Sequence, residues 1–325
     1  MMETETRHVS PRQLAAIQKR KERRKNIRNH KILYLFVLPG LIYLLIFNYY
    51  PLYGVQIAFQ QYRVGEIFGQ STWVGAKHFL RFFKSYWFGT VVKNTLVLSM
   101  LSTIINFPLP IILALMLNEV RNARYKKFVQ TVTYIPHFIS LVVLCGAIQL
   151  FLSPESGIMG IGLNALRELL GKDQINLLTT PGAFKWIYVL SGTWQGTGWS
   201  SVIYFAALAG SDAEILEAAE IDGASKLQKI WYINLPVLVP TIVTCLILHF
   251  GGLLNTSFDK VYLLQNDSIL SVSETINTYV YRSGIGGAQY SFSAAVGLLN
   301  SAVNAFLLLC ANQITRWLSK ENSLF

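Results

Sequence analysis

Long apolar runs separated by short polar ones dominate this chain. Six windows contain no Asp, Glu, Lys or Arg and are rich in Leu, Ile, Val, Phe and Ala: 32–61, 94–118, 128–154, 186–211, 230–258 and 283–315. Each can hold the roughly 20 residues that cross a bilayer as a helix. Spans are therefore predicted near 32–50, 91–115, 130–151, 186–209, 237–255 and 292–313. Buried helices of a water-soluble core would be shorter and interrupted by charge. The fourth span is the least apolar, because GTWQGTGWSS places Gly, Thr and Gln inside it. Such residues are tolerated where a membrane helix packs against protein rather than lipid. The first window begins some thirty residues into the chain and no small-residue cleavage pattern follows it, so it reads as a retained helix rather than a signal.

Composition agrees with this pattern. Of 325 residues, 52% are hydrophobic and 14% charged, where a soluble domain has about 25% charged. The positive charge then orients the chain. The first 31 residues carry 10 Lys or Arg against 3 acids, and NEVRNARYKKF adds Arg121, Arg124, Lys126 and Lys127. With Lys226, Lys229, Arg316 and Lys320, one side collects 18 cations, and the other has 10 spread over longer loops. Both termini are expected in the cytoplasm. The net charge of +11 is then a topology signal and needs no nucleic acid to explain it.

The connections differ in character. The basic tail has one helix signal, Ser10 followed by Pro11. The first outer loop is dense in aromatics, suited to a membrane interface or to a soluble partner. NALRELLGKD predicts a short helix in the second loop, and SVSETINTYVYRSGIGG predicts helix or strand in the third. Cys145, Cys245 and Cys310 lie in apolar runs without metal-site spacing. No GxxxxGK[ST], HExxH or GxSxG is present, so ATP binding and the obvious hydrolytic chemistries lack their parts. The chain is expected to bind no cofactor and no metal, and to be no enzyme.

One polar stretch stands apart: SDAEILEAAEIDGASKLQKIWYINLP, residues 211–236. Gly210 suits the end of the fourth span, and Ser211 with Glu214 predicts a capping box that starts a new helix. Asp212 and Glu214 also suit its positive end. Leu216, Ala219, Gly223 and Leu227 would form one narrow apolar stripe along a helix from 211 to 227. Glu217, Glu220 and Asp222 would face away from it, toward solvent or a basic partner. Gly223 costs helix stability, so either a neighbour approaches closely there or the helix turns. The segment is either a plain connector or a docking surface.

The same stretch resembles the signature of binding-protein-dependent ABC importer permeases: E-A-A, three residues, G, nine residues, I-x-L-P. Here these are Glu217, Ala218, Ala219, Gly223, Ile233, Leu235 and Pro236. VLPGLIYLLIFNYYPLYGVQIAF and TWVGAKHFLRFF are similar to the carbohydrate-importer branch, of the LplB and YteP type associated with oligosaccharides and polysaccharide fragments. The resemblance implies an all-α polytopic membrane protein of the type I ABC importer permease fold, with six transmembrane helices. It implies a basic tail over 1–31 and a six-span domain over 32–325, whose core is about 90–315 and whose coupling helix region, 211–236, sits in a cleft of an ATPase. It also implies a second homologous permease, a cytoplasmic ABC ATPase dimer that uses ATP and Mg, an extracytoplasmic solute-binding protein, and a place in the bacterial plasma (inner) membrane.

Sugar recognition combines hydrogen bonds with aromatic surface. Trp194, Gln195, His249, Asn300 and Asn304 are the polar or aromatic candidates within the spans for lining a substrate pathway. Asn300 and Asn304, four apart, share a helix face. Helix-to-helix hydrogen bonding is the competing role for the amides. An ion-coupled secondary transporter and a non-transporting membrane assembly subunit are the alternative readings of the chain as a whole.

Overall fold

The computed structural model describes residues 30–66 and 70–318, so the Ser10–Pro11 helix signal lies outside the described residues. The chain divides into two compact units, Met1–Gln56 and Ile57–Phe325. In the first, α1 (Lys31–Leu44) is apolar on every side and buries none of its residues, as a helix surrounded by lipid or other apolar partners does. It continues through a π turn over Leu45–Tyr49, just before Pro51.

The second unit is helical throughout its regular elements. It comprises α2 (Lys77–Phe83), α3 (Phe88–Asn106), α4 (Pro108–Asn118), α5 (Ala123–Tyr134), α6 (Leu141–Leu152), α7 (Ile158–Leu169), α8 (Pro181–Ala209), α9 (Ala213–Ile221) and α10 (Lys226–Lys229). After these come α11 (Leu235–Phe250), α12 (Phe258–Leu264), α13 (Leu270–Ser273), α14 (Ile276–Tyr281) and α15 (Tyr290–Leu318). The short helix expected in the second loop is α7, and the third loop is helical rather than extended.

Among the described residues, four helical stretches are long and apolar enough to span a membrane: Lys31–Phe59, Phe88–Asn118, Lys226–Phe250 and Tyr290–Trp317. A fifth exists if the pair Ala123–Phe138 and Leu141–Leu152 is one span, but that pair bends by 97°. The expectation of one continuous span over 130–151 is thus corrected. Pro136 sits in the 3-10 turn that ends the first half, and proline cannot supply a helical N–H. Ser140 then starts α6, its hydroxyl accepting the Val143 N–H at 3.3 Å.

The helix α8 has 29 residues, about 43 Å at the helical rise. It is long enough to cross, yet it falls outside the apolar set because of its Gly, Thr, Gln and Ser content. Its position explains that composition. It runs through the centre of the unit, and two buried clusters are built on it. Leu98, Cys145, Tyr188, Val189 and Val261 join it to α3, α6 and α12. Ala114, Tyr204, Leu208 and Leu238 join it to α4 and α11. A Cβ at Gly198 would collide with the Thr133 carbonyl of α5, so glycine is what lets these two helices approach. Its hydroxyls turn back to their own helix: Thr197 donates to the Thr193 carbonyl at 2.7 Å and Ser201 to that of Gly198 at 2.6 Å. Tyr188 also anchors α12, accepting the Ser257 N–H on its phenol oxygen at 3.1 Å and the buried Lys260 ammonium on its carbonyl at 2.7 Å. A third cluster, Phe82, Val91, Tyr279 and Phe292 among its members, ties α2 and α3 to α14 and α15.

Candidate functional site

The signature segment is a helix–turn–helix rather than one helix. Helix α8 closes at Gly210, whose N–H bonds back into its last turn. Ser211 is consumed in that closure, donating to the Leu208 carbonyl at 2.7 Å. The expected Ser211–Glu214 capping box is therefore not made. Asp212 caps α9 instead, its carboxylate accepting the Glu214 N–H at 2.9 Å. The anion also suits the positive helix end.

Helix α9 stops at Ile221, so the expected stripe through Gly223 and Leu227 is broken. Gly223 has φ +78°, and no atom lies within 4 Å of where its Cβ would be. Of the two reasons for a glycine, the turn is the one realised. The Ala224 N–H reaches the Ala219 carbonyl at 2.9 Å and the Gly223 N–H that of Glu220 at 3.2 Å, a pair of bonds that closes a helix through a left-handed residue. The capping box lies one turn later: Ser225 Oγ accepts the Gln228 N–H at 3.4 Å, and Gln228 Oε1 accepts the Ser225 N–H at 2.7 Å. Helix α10 then enters α11 through a π turn, Ile230–Asn234, that precedes Pro236. The ladder is already opened where proline has no N–H to give.

Of the signature residues, Glu217, Ala218, Gly223 and Pro236 are exposed, and Ala219, Ile233 and Leu235 are half-buried. Leu235 packs at the edge of the cluster that joins α4, α8 and α11. Ile221 and Leu227 project on either side of the turn at 86% and 69% exposure.

A polar network, missed in the sequence, mounts this segment on its neighbours. Lys229, buried at the end of α10, places its ammonium 2.7 Å from Glu220 of α9 and 3.8 Å from Glu119 after α4. Arg121 reaches the same Glu220 oxygen at 3.4 Å. The wholly buried Asn234 donates to the other oxygen of Glu119 at 3.1 Å. The Lys229 hydrogen bond, followed by the Lys229 and Arg121 charges, holds the Glu220 carboxyl below its ordinary value. Glu220 thus has its basic partner within the chain. No local sequence pattern signals this, because Glu119 and Lys229 are far apart in the chain.

The pathway candidates separate into two groups. Asn300 and Asn304 do share a face of α15 and are both buried, and both donate to the Asn255 side-chain oxygen, Oδ1, at 3.2 and 3.1 Å. Asn304 also accepts the Leu254 N–H at 3.0 Å. Gln195 donates to the Ile139 carbonyl at 2.9 Å, filling the bond lost at the α5–α6 bend. Gln195 and Asn304 thus satisfy the backbone where helices break, and Asn300 ties α15 to the Asn255 side chain. Trp194 is exposed, and His249 meets the Thr103 hydroxyl at 2.7 Å. His249 also lines a cavity of about 420 Å³ between α3, α4, α8 and α11, with Asn106, Phe107, Ser200 and Tyr204. Its polar and aromatic lining is suited to a hydroxylated ligand. Trp199 stacks on His137 at 4.7 Å beside the same bend. Among the described residues no three His, Cys, Asp or Glu come together to hold a metal ion.

Comparison with known proteins places this geometry. The family model described as "Binding-protein-dependent transport system inner membrane component" matches residues 106–321, which include the whole signature segment. The chain is 42% identical to the polygalacturonan/rhamnogalacturonan transport system permease protein YteP of Bacillus subtilis, over 93% of this chain and 94% of that one. It is 41% identical to protein LplB of the same organism, over 91% and 92%. Among solved structures it is similar to a chain of a bacterial ABC transporter involved in the import of the acidic polysaccharide alginate. That likeness has a TM-score of 0.82 and 38% identity, and covers 91% of this chain and 98% of that one. The chain therefore belongs to the binding-protein-dependent transport system inner membrane components, and it is an all-α, multi-pass permease subunit of the ABC-importer fold in the inner membrane.

Proposed function

We propose that the chain is one of two permeases in an importer of oligosaccharides or polysaccharide fragments, driven by a separate ATPase. The substrate class rests on relatives named for polygalacturonan/rhamnogalacturonan transport and on the likeness to an alginate importer. The four long apolar helices, the bent α5–α6 pair and α8 together make six crossings. The bias of positive charge puts both termini and residues 211–236 in the cytoplasm. A basic tail, 1–31, precedes the six-span domain. A homologous permease, a cytoplasmic ATPase dimer using ATP and Mg, and an extracytoplasmic solute-binding protein complete the assembly.

The observation that carries this reading is the mounting of the signature segment. The helix–turn–helix presents Glu217, Ala218, Gly223, Ile221 and Leu227 outward. The Glu119–Lys229–Glu220 network and the α10–α11 junction, with Ile233, Leu235 and Pro236, fix it to two spans from behind. Closure of the ATPase dimer then moves α8 and α11 through this segment. The cavity lined by His249 lies between those same helices, where a change of angle opens one side and closes the other.

The test is uptake and substrate-stimulated ATP hydrolysis in the reconstituted complex, with Glu217→Lys as the variant. Hydrolysis should uncouple from uptake while the permease stays in the membrane at normal abundance. Wild-type values for both would sink the docking role. Reporter fusions near Gly75, Lys172 and Gly284 should read external and one after Lys320 cytoplasmic; an internal signal near Lys172 would overturn the six-span count.

A further inference from the structure

Helix α2 and its C-cap carry three cations, Lys77, Arg81 and Lys84, at i, i+4 and i+7. All three are exposed, and among the described residues none has a carboxylate within salt-bridge distance. They border a cleft of about 750 Å³ whose floor holds Ser85, Tyr279 and Phe292. Among the described residues no acidic one lines it.

Arg81 is preorganised. Its guanidinium donates to the Gln289 side-chain oxygen at 2.8 Å and lies 4.8 Å from the centre of the Phe292 ring. That leaves the rest of the fork free for an oxyanion at little ordering cost. The Ser85 and Tyr279 hydroxyls, hydrogen-bonded to each other at 3.3 Å, leave one O–H as a further donor. The buried His78 lies beside the cations: burial lowers its pKa against the hydrogen bond to the Gln60 carbonyl, and the Arg81 and Lys77 charges add to the lowering.

The surroundings of the cleft decide which anion fits. Leu80, Phe83 and Tyr86 flank the cations at 57%, 49% and 90% exposure. Two spans begin here, α3 at Phe88 and α15 at Tyr290. The cleft therefore lies at one membrane interface. Basic and aromatic side chains mixed with exposed aliphatic ones at that level are what a lipid headgroup and its first methylenes contact.

We propose that this cleft is a binding site for an anionic phospholipid. The phosphate rests on Arg81 between Lys77 and Lys84, and the acyl chains run past Leu80 and Phe83. Arg81 reads the phosphate, and the two lysines raise its local concentration.

Native mass spectrometry of the purified full-length chain, titrated with phosphatidylglycerol or phosphatidylcholine, tests this. Phosphatidylglycerol should bind about tenfold more tightly than phosphatidylcholine. Arg81→Ala should reduce that preference roughly fivefold, the expected effect of one interfacial charge. The double variant Lys77→Ala/Lys84→Ala, which changes only exposed side chains, should reduce it further than one charge does. Lys172→Ala, an exposed cation on another loop, should leave it unchanged. Equal affinity for the two lipids, or a preference untouched in both cleft variants, would overturn the site. So would selective retention of a trigalacturonate, lost in Arg81→Ala, by a chain that shows no lipid preference, because the cleft would then be a carbohydrate subsite.

Discussion

The Lys229 ammonium stands 2.7 Å from the Glu220 carboxylate across the turn that divides the signature segment. Lys229 is buried and Glu220 exposed. The pair spans α9 and α10, so it sets the angle between the exposed half of the segment and the half continuous with α11. Glu119, 3.8 Å away on the second side of the ammonium, extends the tie to the end of α4.

Removing the ammonium should free that angle. Lys229→Met leaves Glu119 without its cation and is expected to lower uptake per ATP hydrolysed several-fold while the permease stays in the membrane. Lys229→Arg keeps a cation between Glu119 and Glu220 and should retain more of the ratio than Lys229→Met. Uptake and hydrolysis measured on the same vesicles give the ratio. An unchanged ratio in Lys229→Met would remove the network from coupling.

The turn at Gly223 makes a different demand. Its φ of +78° costs an L-residue about 1–2 kcal/mol, and no neighbour crowds it. Gly223→Asn should be tolerated better than Gly223→Val, because asparagine accepts the left-handed region and a β-branched residue does not. Thermal stability and ATPase association of the two variants would be compared. Equal damage would point to close packing by a partner at this residue.

The two groups of pathway candidates should part in kinetics. His249→Ala and Trp194→Ala are expected to shift apparent affinity or chain-length preference at matched abundance. Asn304→Ala orphans the buried Leu254 N–H and should cost about 1–3 kcal/mol of stability, seen as lower abundance at unchanged affinity. Gln195→Ala and Asn300→Ala should behave like Asn304→Ala. Uptake against oligosaccharide concentration separates the outcomes. An affinity shift in Asn304→Ala would return it to the pathway.

Glu274 offers a pH test. It is wholly buried, 3.3 Å from Arg282 and 2.8 Å from the Gln265 amide nitrogen. Burial raises its pKa, against the Arg282 charge and the hydrogen bonds from Gln265 and Thr278. A raised folded value means its contribution to stability is full below the unfolded pKa and is lost as pH rises through the folded one. Glu274→Gln is therefore expected to gain stability relative to wild type as pH rises out of the carboxylate range. Arg282→Met should lose stability at pH 7, by leaving the carboxylate without its cation. Melting temperatures from pH 4 to 8 check both. A constant difference between Glu274→Gln and wild type across that range would mean that the carboxyl does not titrate differently on folding.

Much of this protein could be read along the chain because its strongest signals are local. Apolar windows of 20 or more residues without charge lose too much by facing water, so the membrane helices follow from composition and length. The E-A-A…G…I-x-L-P spacing, the helix stop at Gly210 and the helical character of α7 were legible for the same reason: each depends on neighbours within a few positions. The glycine at 223 was legible as an exception, and of its two possible causes the turn, the local one, is realised.

Tertiary structure decided where one residue had several partners to choose from. Ser211 could cap α9 or close α8, and the nearby Leu208 carbonyl took it, leaving the cap to Asp212. The third apolar window could be one helix or two, and the 97° bend between its halves is supported by Gln195 from another helix. Asn300 and Asn304 could face a cavity or a neighbour, and Asn255 lies within reach of both. Lys229 joins Glu119 and Glu220 only because α4, α9 and α10 meet in space. A buried polar group gains by finding a partner, and these partners lie where packing brings them rather than where sequence spacing puts them.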